Sequence, residues 1–155
     1  MGKGSVQYAA LPWRMKDGAL EILLITSSSG RWIIPKGWPM EGKAPHEAAA
    51  QEAWEEAGVR GEAGARAVGV FHTDKVRRSG NIKRLEVQVF PLAVTEMAAS
   101  WPEATRRQRR WAPQMEAAAL AGDPALSRLI ADFRPNLPIS PAKAGVQVKP
   151  TDRPG

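Results

Sequence analysis

The chain has 155 residues, enough for one compact core rather than two independent ones. Apolar residues make up 43% and charged residues 25%, an ordinary globular balance, and the absence of cysteine rules out disulfides, thiolate zinc sites and a Cys nucleophile. Twenty-two basic residues oppose 16 acidic ones, a net charge of +6 that favours an anionic partner without saying which.

Met1–Ser5 lacks the apolar stretch of a signal peptide, and no apolar run is long enough to span a bilayer, so a cytoplasmic protein with no membrane partner is expected. Val6–Met15 and Ala19–Thr26 read as strands joined at Lys16-Asp17-Gly18, whose Asp-Gly pair is a hairpin signal. Ser27–Gly30 is a loop, and Arg31–Ile34 a short buried strand stopped by Pro35. Lys36–Lys43, with two Gly and a Pro, is expected to be irregular. Pro45 suits the first turn of a helix that runs to Ala57, where Gly58 supplies a left-handed stop. Ala63–Thr73 and Ile82–Thr95 are strand-rich. In the second, Leu85, Val87 and Val89 alternate with Glu86 and Gln88. Arg109–Ala112 reads as a last strand. Pro113–Ala121 and Pro124–Phe133 read as helices, each opened by proline. Residues 1–134 then form a single domain. The tail over 135–155 holds five prolines in 21 residues and is expected to be extended or disordered. The order of elements predicts an α/β fold, a mixed sheet with helices on both faces.

The helix at Pro45–Ala57 carries the chemistry. Glu52, Glu55 and Glu56 stand at i, i+3 and i+4, so Glu52 shares a face with both others. Like charges at this spacing repel, and each anion near the negative end of a helix costs about 0.3–1 kcal/mol. No lysine or arginine lies within the helix to relieve them. A divalent cation would turn the repulsion into attraction. On a helix taken alone, the competing explanation is amphipathicity, with Ala49, Ala50, Ala53 and Ala57 buried and the glutamates in water. The loop before the helix and the Gly stop after it weigh against that explanation.

Gly37-Trp38-Pro39-Met40-Glu41-Gly42-Lys43, seven further residues, and then Gln51-Glu52-Ala53-Trp54-Glu55-Glu56-Ala57-Gly58-Val59 resemble the Nudix box, G-x5-E-x7-R-E-U-x-E-E-x-G-U. Gly37, Glu52, Glu55, Glu56, Gly58 and Val59 match without gaps, and the wider resemblance runs from about Val6 to Phe133. Two positions depart: Lys43 stands where the box has glutamate and Gln51 where it has arginine. The resemblance implies an α/β/α sandwich that hydrolyses a nucleoside diphosphate linked to another moiety, or a related pyrophosphate, using Mg²⁺ or Mn²⁺. It further implies Glu52, Glu55, Glu56 and the backbone carbonyl of Gly37 as metal ligands, with Glu55 or Glu56 as the base that activates water. Glu86, on a nearby strand, is another candidate base.

Within that family the sequence is most similar to the diphosphoinositol polyphosphate and diadenosine polyphosphate hydrolases. The likeness rests on Ser27–Ser29 before Arg31–Pro35, on Gly69-Val70-Phe71, and on Trp101 followed by the basic stretch ending at Trp111. It implies a small-molecule polyphosphate partner held by Ser28, Arg31, Lys36, Arg77, Arg78, Lys83 and Arg107, with Arg84 adding charge. Arginine forks suit phosphate oxygens. Trp32 reads as core, and Trp38 as either a base-stacking surface or a cover for the helix. His46 and His72 fall in no ligand-spaced pair. Two other readings remain: a catalytically weak Nudix module that senses a phosphorylated ligand, favoured by Lys43 and Gln51, and an RNA 5′-end pyrophosphohydrolase, favoured by the basic balance. No stacked-aromatic motif supports nucleic acid, and either a monomer or a dimer is compatible with the sequence.

Overall fold

The computed structural model describes residues 5–135. The first four residues and all but the first residue of the tail expected over 135–155 lie outside the described residues. Among the described residues, eight strands and three helices follow in chain order: β1 Val6–Lys16, β2 Ala19–Thr26, β3 Trp32–Ile33, β4 Lys36–Gly37, α1 Pro45–Ala57, β5 Val59–Ala63, β6 Gly69–Val76, β7 Ile82–Met97, β8 Arg109–Pro113, α2 Gln114–Leu120 and α3 Pro124–Asp132.

The strands form one mixed sheet with the path β3-β2-β1-β7-β5, while β4 joins β1, β6 joins β7 and β8 joins β2. β1 and β7 run parallel along the centre, from Val6 opposite Glu86 to Trp13 opposite Ala93, and the other named pairings are antiparallel. The β1–β2 hairpin turns through Asp17 at φ 52° and Gly18 at φ 81°, the left-handed pair that a two-residue turn needs.

Alternation along the central strands sorts the core into two layers. Ala9, Leu11, Ile22, Leu24, Val87 and Val89 pack with Ala117, Leu126, Ile130 and Phe133 under α2 and α3. Ala10, Leu23, Ile25, Phe90 and Leu92 pack with Ala49, Ala53 and Ala57 of α1. The sandwich is therefore α1, sheet, then α2 with α3, as the element order implies. Trp32 is partly buried against the first layer, in keeping with a core role.

Two expectations about local structure need correction. Lys36–Lys43 is not wholly irregular, because Lys36 and Gly37 pair with Ala9 and Tyr8 of β1. Pro35 cannot donate, but its carbonyl accepts the Ala10 N–H at 3.0 Å and steers the chain onto β1. The strand-rich stretch expected over Ala63–Thr73 is broken, since β5 ends at Ala63 and β6 begins only at Gly69. β5 begins at Val59, immediately after the helix stop, and pairs with the far half of β7.

Candidate active site

The carboxylates are set by the last two turns of α1. The alanine stripe fixes one face of the helix against the sheet, so Glu52, Glu55 and Glu56 must look along the edge of that contact. Glu56 is buried, at 7% exposure, and Glu52 and Glu55 are half-buried. Glu52 and Glu56 share a side-chain hydrogen bond. Burial and then that bond push the Glu56 carboxyl up to about 8, so it is Glu56 that keeps the proton, while nearby Arg107 opposes the shift. Burial also raises Glu52, and the hydrogen bond from Glu56 opposes the rise.

Gly37 brings bare backbone against this pair. A Cβ built at residue 37 would lie 2.1 Å from Glu52 Oε2, so no side chain fits there and the main chain lies directly on the carboxylate. The neighbouring Lys36 N–H donates to Glu56 Oε1 at 3.3 Å. The Lys36 side chain donates from Nζ to Gln7 Oε1 at 2.7 Å, and burial holds its ammonium below the usual lysine range.

Glu55 is turned aside: Gln51 Nε2 donates to Glu55 Oε2 at 2.8 Å. The glutamine thus still orients a box carboxylate, without adding charge. Lys43 is exposed in a turn closed by its N–H to Met40 O. Among the described residues, no three His, Cys, Asp or Glu side chains converge as a ready ligand set. What does converge is the Glu52–Glu56 pair beside the Gly37 main chain. These are oxygen donors only, and once both carboxyls are ionised they suit a hard divalent cation.

A fourth carboxylate, which the sequence reading missed, comes from the β7–β8 connection. Glu103 accepts from Arg107 Nε at 2.8 Å and lies close enough to raise both Glu52 and Glu56. Arg107 also reaches Glu56 Oε1 at 3.7 Å and donates from Nη1 to Thr26 O at 2.9 Å. The only sequence signal for Glu103 is its place four residues before Arg107 within the Trp101–Arg110 segment. Glu86, by contrast, accepts from Gln88 on its own strand at 2.8 Å.

A cleft of about 670 Å³ opens beside Lys36, lined among others by Ser28, Arg31, Lys36, Thr73 and Lys75. The structure thus gathers Ser28, Arg31 and Lys36 around one space. Arg31 donates to the carbonyl of Gly122, which fastens the serine loop to the α2–α3 junction. Arg107 stands with the glutamates, tied to the cleft rim through Thr26. Arg77 and Arg78 are exposed in the β6–β7 turn, and Lys83 and Arg84 lie at the start of β7. These four are not among the residues that line the cleft. Lys75 takes their place there, with Nζ 5.2 Å from the centre of the exposed Trp38 ring.

The NUDIX domain model matches residues 6–133. The chain belongs to the NUDIX domain family. Diphosphoinositol polyphosphate phosphohydrolase 3-alpha of Mus musculus is 38% identical over 95 residues, 59% of this chain and 54% of that protein. The 3-beta protein of Homo sapiens is 37% identical over 95 residues, again 59% of this chain and 54% of its own length. The chain spans about half the length of the curated relatives it matches. Among solved structures, a C. elegans Ap4A hydrolase superposes with a TM-score of 0.59 at 18% identity, covering 81% of this chain and 92% of that one. The E. coli dihydroneopterin triphosphate pyrophosphohydrolase gives 0.60 at 18% identity, covering 83% and 94%. At that identity the structural likeness establishes the sandwich fold.

Proposed function

We propose that the protein is a metal-dependent pyrophosphohydrolase that cleaves a phosphoanhydride bond in a highly phosphorylated small molecule, with diphosphoinositol polyphosphates or diadenosine polyphosphates as the substrate class. The observation that carries this reading is the meeting of two opposite environments at Lys36. Its backbone N–H binds the carboxylate of Glu56, and its side chain lines a cleft of hydroxyls and cations. A polyphosphate chain needs both, cations to hold its oxygens and carboxylates beside the bond that breaks.

Mg²⁺ or Mn²⁺ bound there would neutralise the phosphates and activate water. Glu52, Glu56 and the Gly37 carbonyl are the groups that would hold it, with Glu55, one residue along the same helix, as a further ligand. Ser28, Arg31, Lys36 and Lys75 hold the phosphates that do not react. Arg107 holds Glu56 and Glu103 in place. Glu55 and Glu56 are the candidates to take the proton from water.

The test is phosphate release from inositol pyrophosphates, dinucleoside polyphosphates, ADP-ribose and 5′-triphosphate RNA, with and without Mg²⁺ or Mn²⁺. Metal-dependent turnover on the first two classes is expected, and Glu56→Gln should lower kcat by about 100-fold or more while the protein stays folded. Ligand binding without turnover on any member of the panel would overturn the enzyme reading in favour of a sensor, as the Lys43 and Gln51 departures suggest. Preference for the RNA would overturn the substrate class.

A further inference from the structure

Glu55 and Glu56 sit on the last turn of α1, the one least suited to anions, with Glu52 one turn before them. The helix has no basic residue in its last turn, and its final carbonyls point the same way as the carboxylate charge. A segment remote in sequence closes this end. Glu103 N–H donates to Glu55 O at 3.0 Å, and Trp101 Nε1 donates to Glu56 O at 3.0 Å. Arg109 Nη1 donates to Ala57 O at 2.9 Å, and its Nη2 donates to Ala98 O at 2.5 Å. Ala98 N–H in turn reaches Gly58 O at 2.9 Å. Four consecutive carbonyls, from Glu55 to Gly58, are thus bound from outside the helix.

Trp101 and Arg109 act as one unit, since the guanidinium carbon lies 3.9 Å from the centre of the indole ring. The ring also lies so close to the helix stop that a Cβ on Gly58 would stand 2.7 Å from Trp101 Cδ2. The pair holds the backbone oxygens of residues 56 and 57, directly beneath the buried carboxylate. Between its two members the chain carries Glu103 and Arg107, whose side chains face Glu56. Neither Trp101 nor Arg109 lines the cleft.

We infer that the stacked Trp101–Arg109 pair is a positioning device that holds the backbone of Glu56 in register with Glu52 and Gly37, and so fixes the geometry with which the carboxylates receive a divalent cation. The inference rests on the proposed pyrophosphohydrolase activity for its kinetic consequence, but not for its effect on cation binding. Groups that orient metal ligands from behind are worth about 10- to 100-fold in metal affinity or activity.

The test uses Trp101→Phe, which keeps a stacking ring and deletes the N–H donor, and Arg109→Lys, which keeps the charge and loses the fork. Three quantities are read on the full chain: Mn²⁺ affinity by titration calorimetry, kcat and KM separately, and the melting temperature in chelator. Each variant should bind Mn²⁺ about tenfold more weakly and lose kcat by a similar factor, with KM nearly unchanged, at temperatures where it is fully folded. Arg109→Lys should retain more of both than Arg109→Ala. Folded variants that melt lower but keep wild-type Mn²⁺ affinity would reduce the pair to a structural cap and overturn the inference. If the wild type turns over no substrate, the pyrophosphohydrolase reading fails, and the Mn²⁺ affinities still decide this one.

Discussion

Glu56 keeps its proton into the neutral range because two effects act in the same direction. Burial disfavours the anion, and Glu52 accepts the hydrogen bond that only the protonated acid can donate. An unfolded chain exposes the same carboxyl to water, where it ionises near 4.5. Between those two values the unfolded state has lost a proton that the folded state retains. Stability from this group is therefore fully present below about 4.5 and is lost as pH rises toward about 8. In chelator, urea unfolding should show the wild type less stable at pH 8 than at pH 5, and Glu56→Gln should flatten that slope. Equal slopes in the two proteins would mean that Glu56 is not the group responsible. A divalent cation acts in the opposite sense, since it takes the ionised form. Mn²⁺ affinity should accordingly rise with pH across the same window, with proton release on binding.

Helix α1 was legible in the sequence from Pro45 to Gly58 because three independent signals agree there: a proline in the first turn, an alanine stripe and a glycine stop. Gly58 takes φ 68°, the left-handed conformation that a stop requires, and its N–H reaches back to Trp54 O. Gly58→Ala meets both penalties at once, a left-handed alanine and a contact with Trp101. It should cost about 1–3 kcal/mol in stability by the first alone. It should also lower kcat more than KM if the Trp101 contact carries the helix register, and denaturant titration with steady-state kinetics checks both. What could not be read from the sequence lies in elements defined by distant partners. β4 is two residues long and exists only because β1 offers open hydrogen bonds. β5 starts directly after Gly58, with no loop between the helix stop and the strand. Glu103 and the Trp101–Arg109 stack reach the helix across 45 or more residues, and although Trp101 and the basic stretch stand out in the sequence, nothing local says that they close the end of α1. The box residues were legible for the opposite reason, since their spacing is the helix itself.

At the scale of the molecule, β4 divides the site. On one side of Lys36 stand the carboxylates of α1, held by the β7–β8 connection. On the other side the cleft runs between the serine loop, β6 and the start of α3. The basic residues divide with it: Arg107 serves the acidic cluster, whereas Arg31, Lys36 and Lys75 face the cleft. Arg77, Arg78, Lys83 and Arg84 surround the β6–β7 turn, where their charge adds to the long-range field. Lys75 is the cleft cation best suited to a clean test, because it is exposed and has no part in the core. Lys75→Ala should raise KM for the most highly phosphorylated substrate by about tenfold, the worth of one charge-assisted hydrogen bond of roughly 1.5 kcal/mol, with kcat little changed. Arg77→Ala with Arg78→Ala should act differently, because screening removes long-range attraction but spares direct contacts. That double variant should raise KM at low salt and match the wild type at high salt, while the Lys75→Ala defect persists in both. Identical salt dependence for the two variants would place the arginines in the cleft after all and return them to direct phosphate binding.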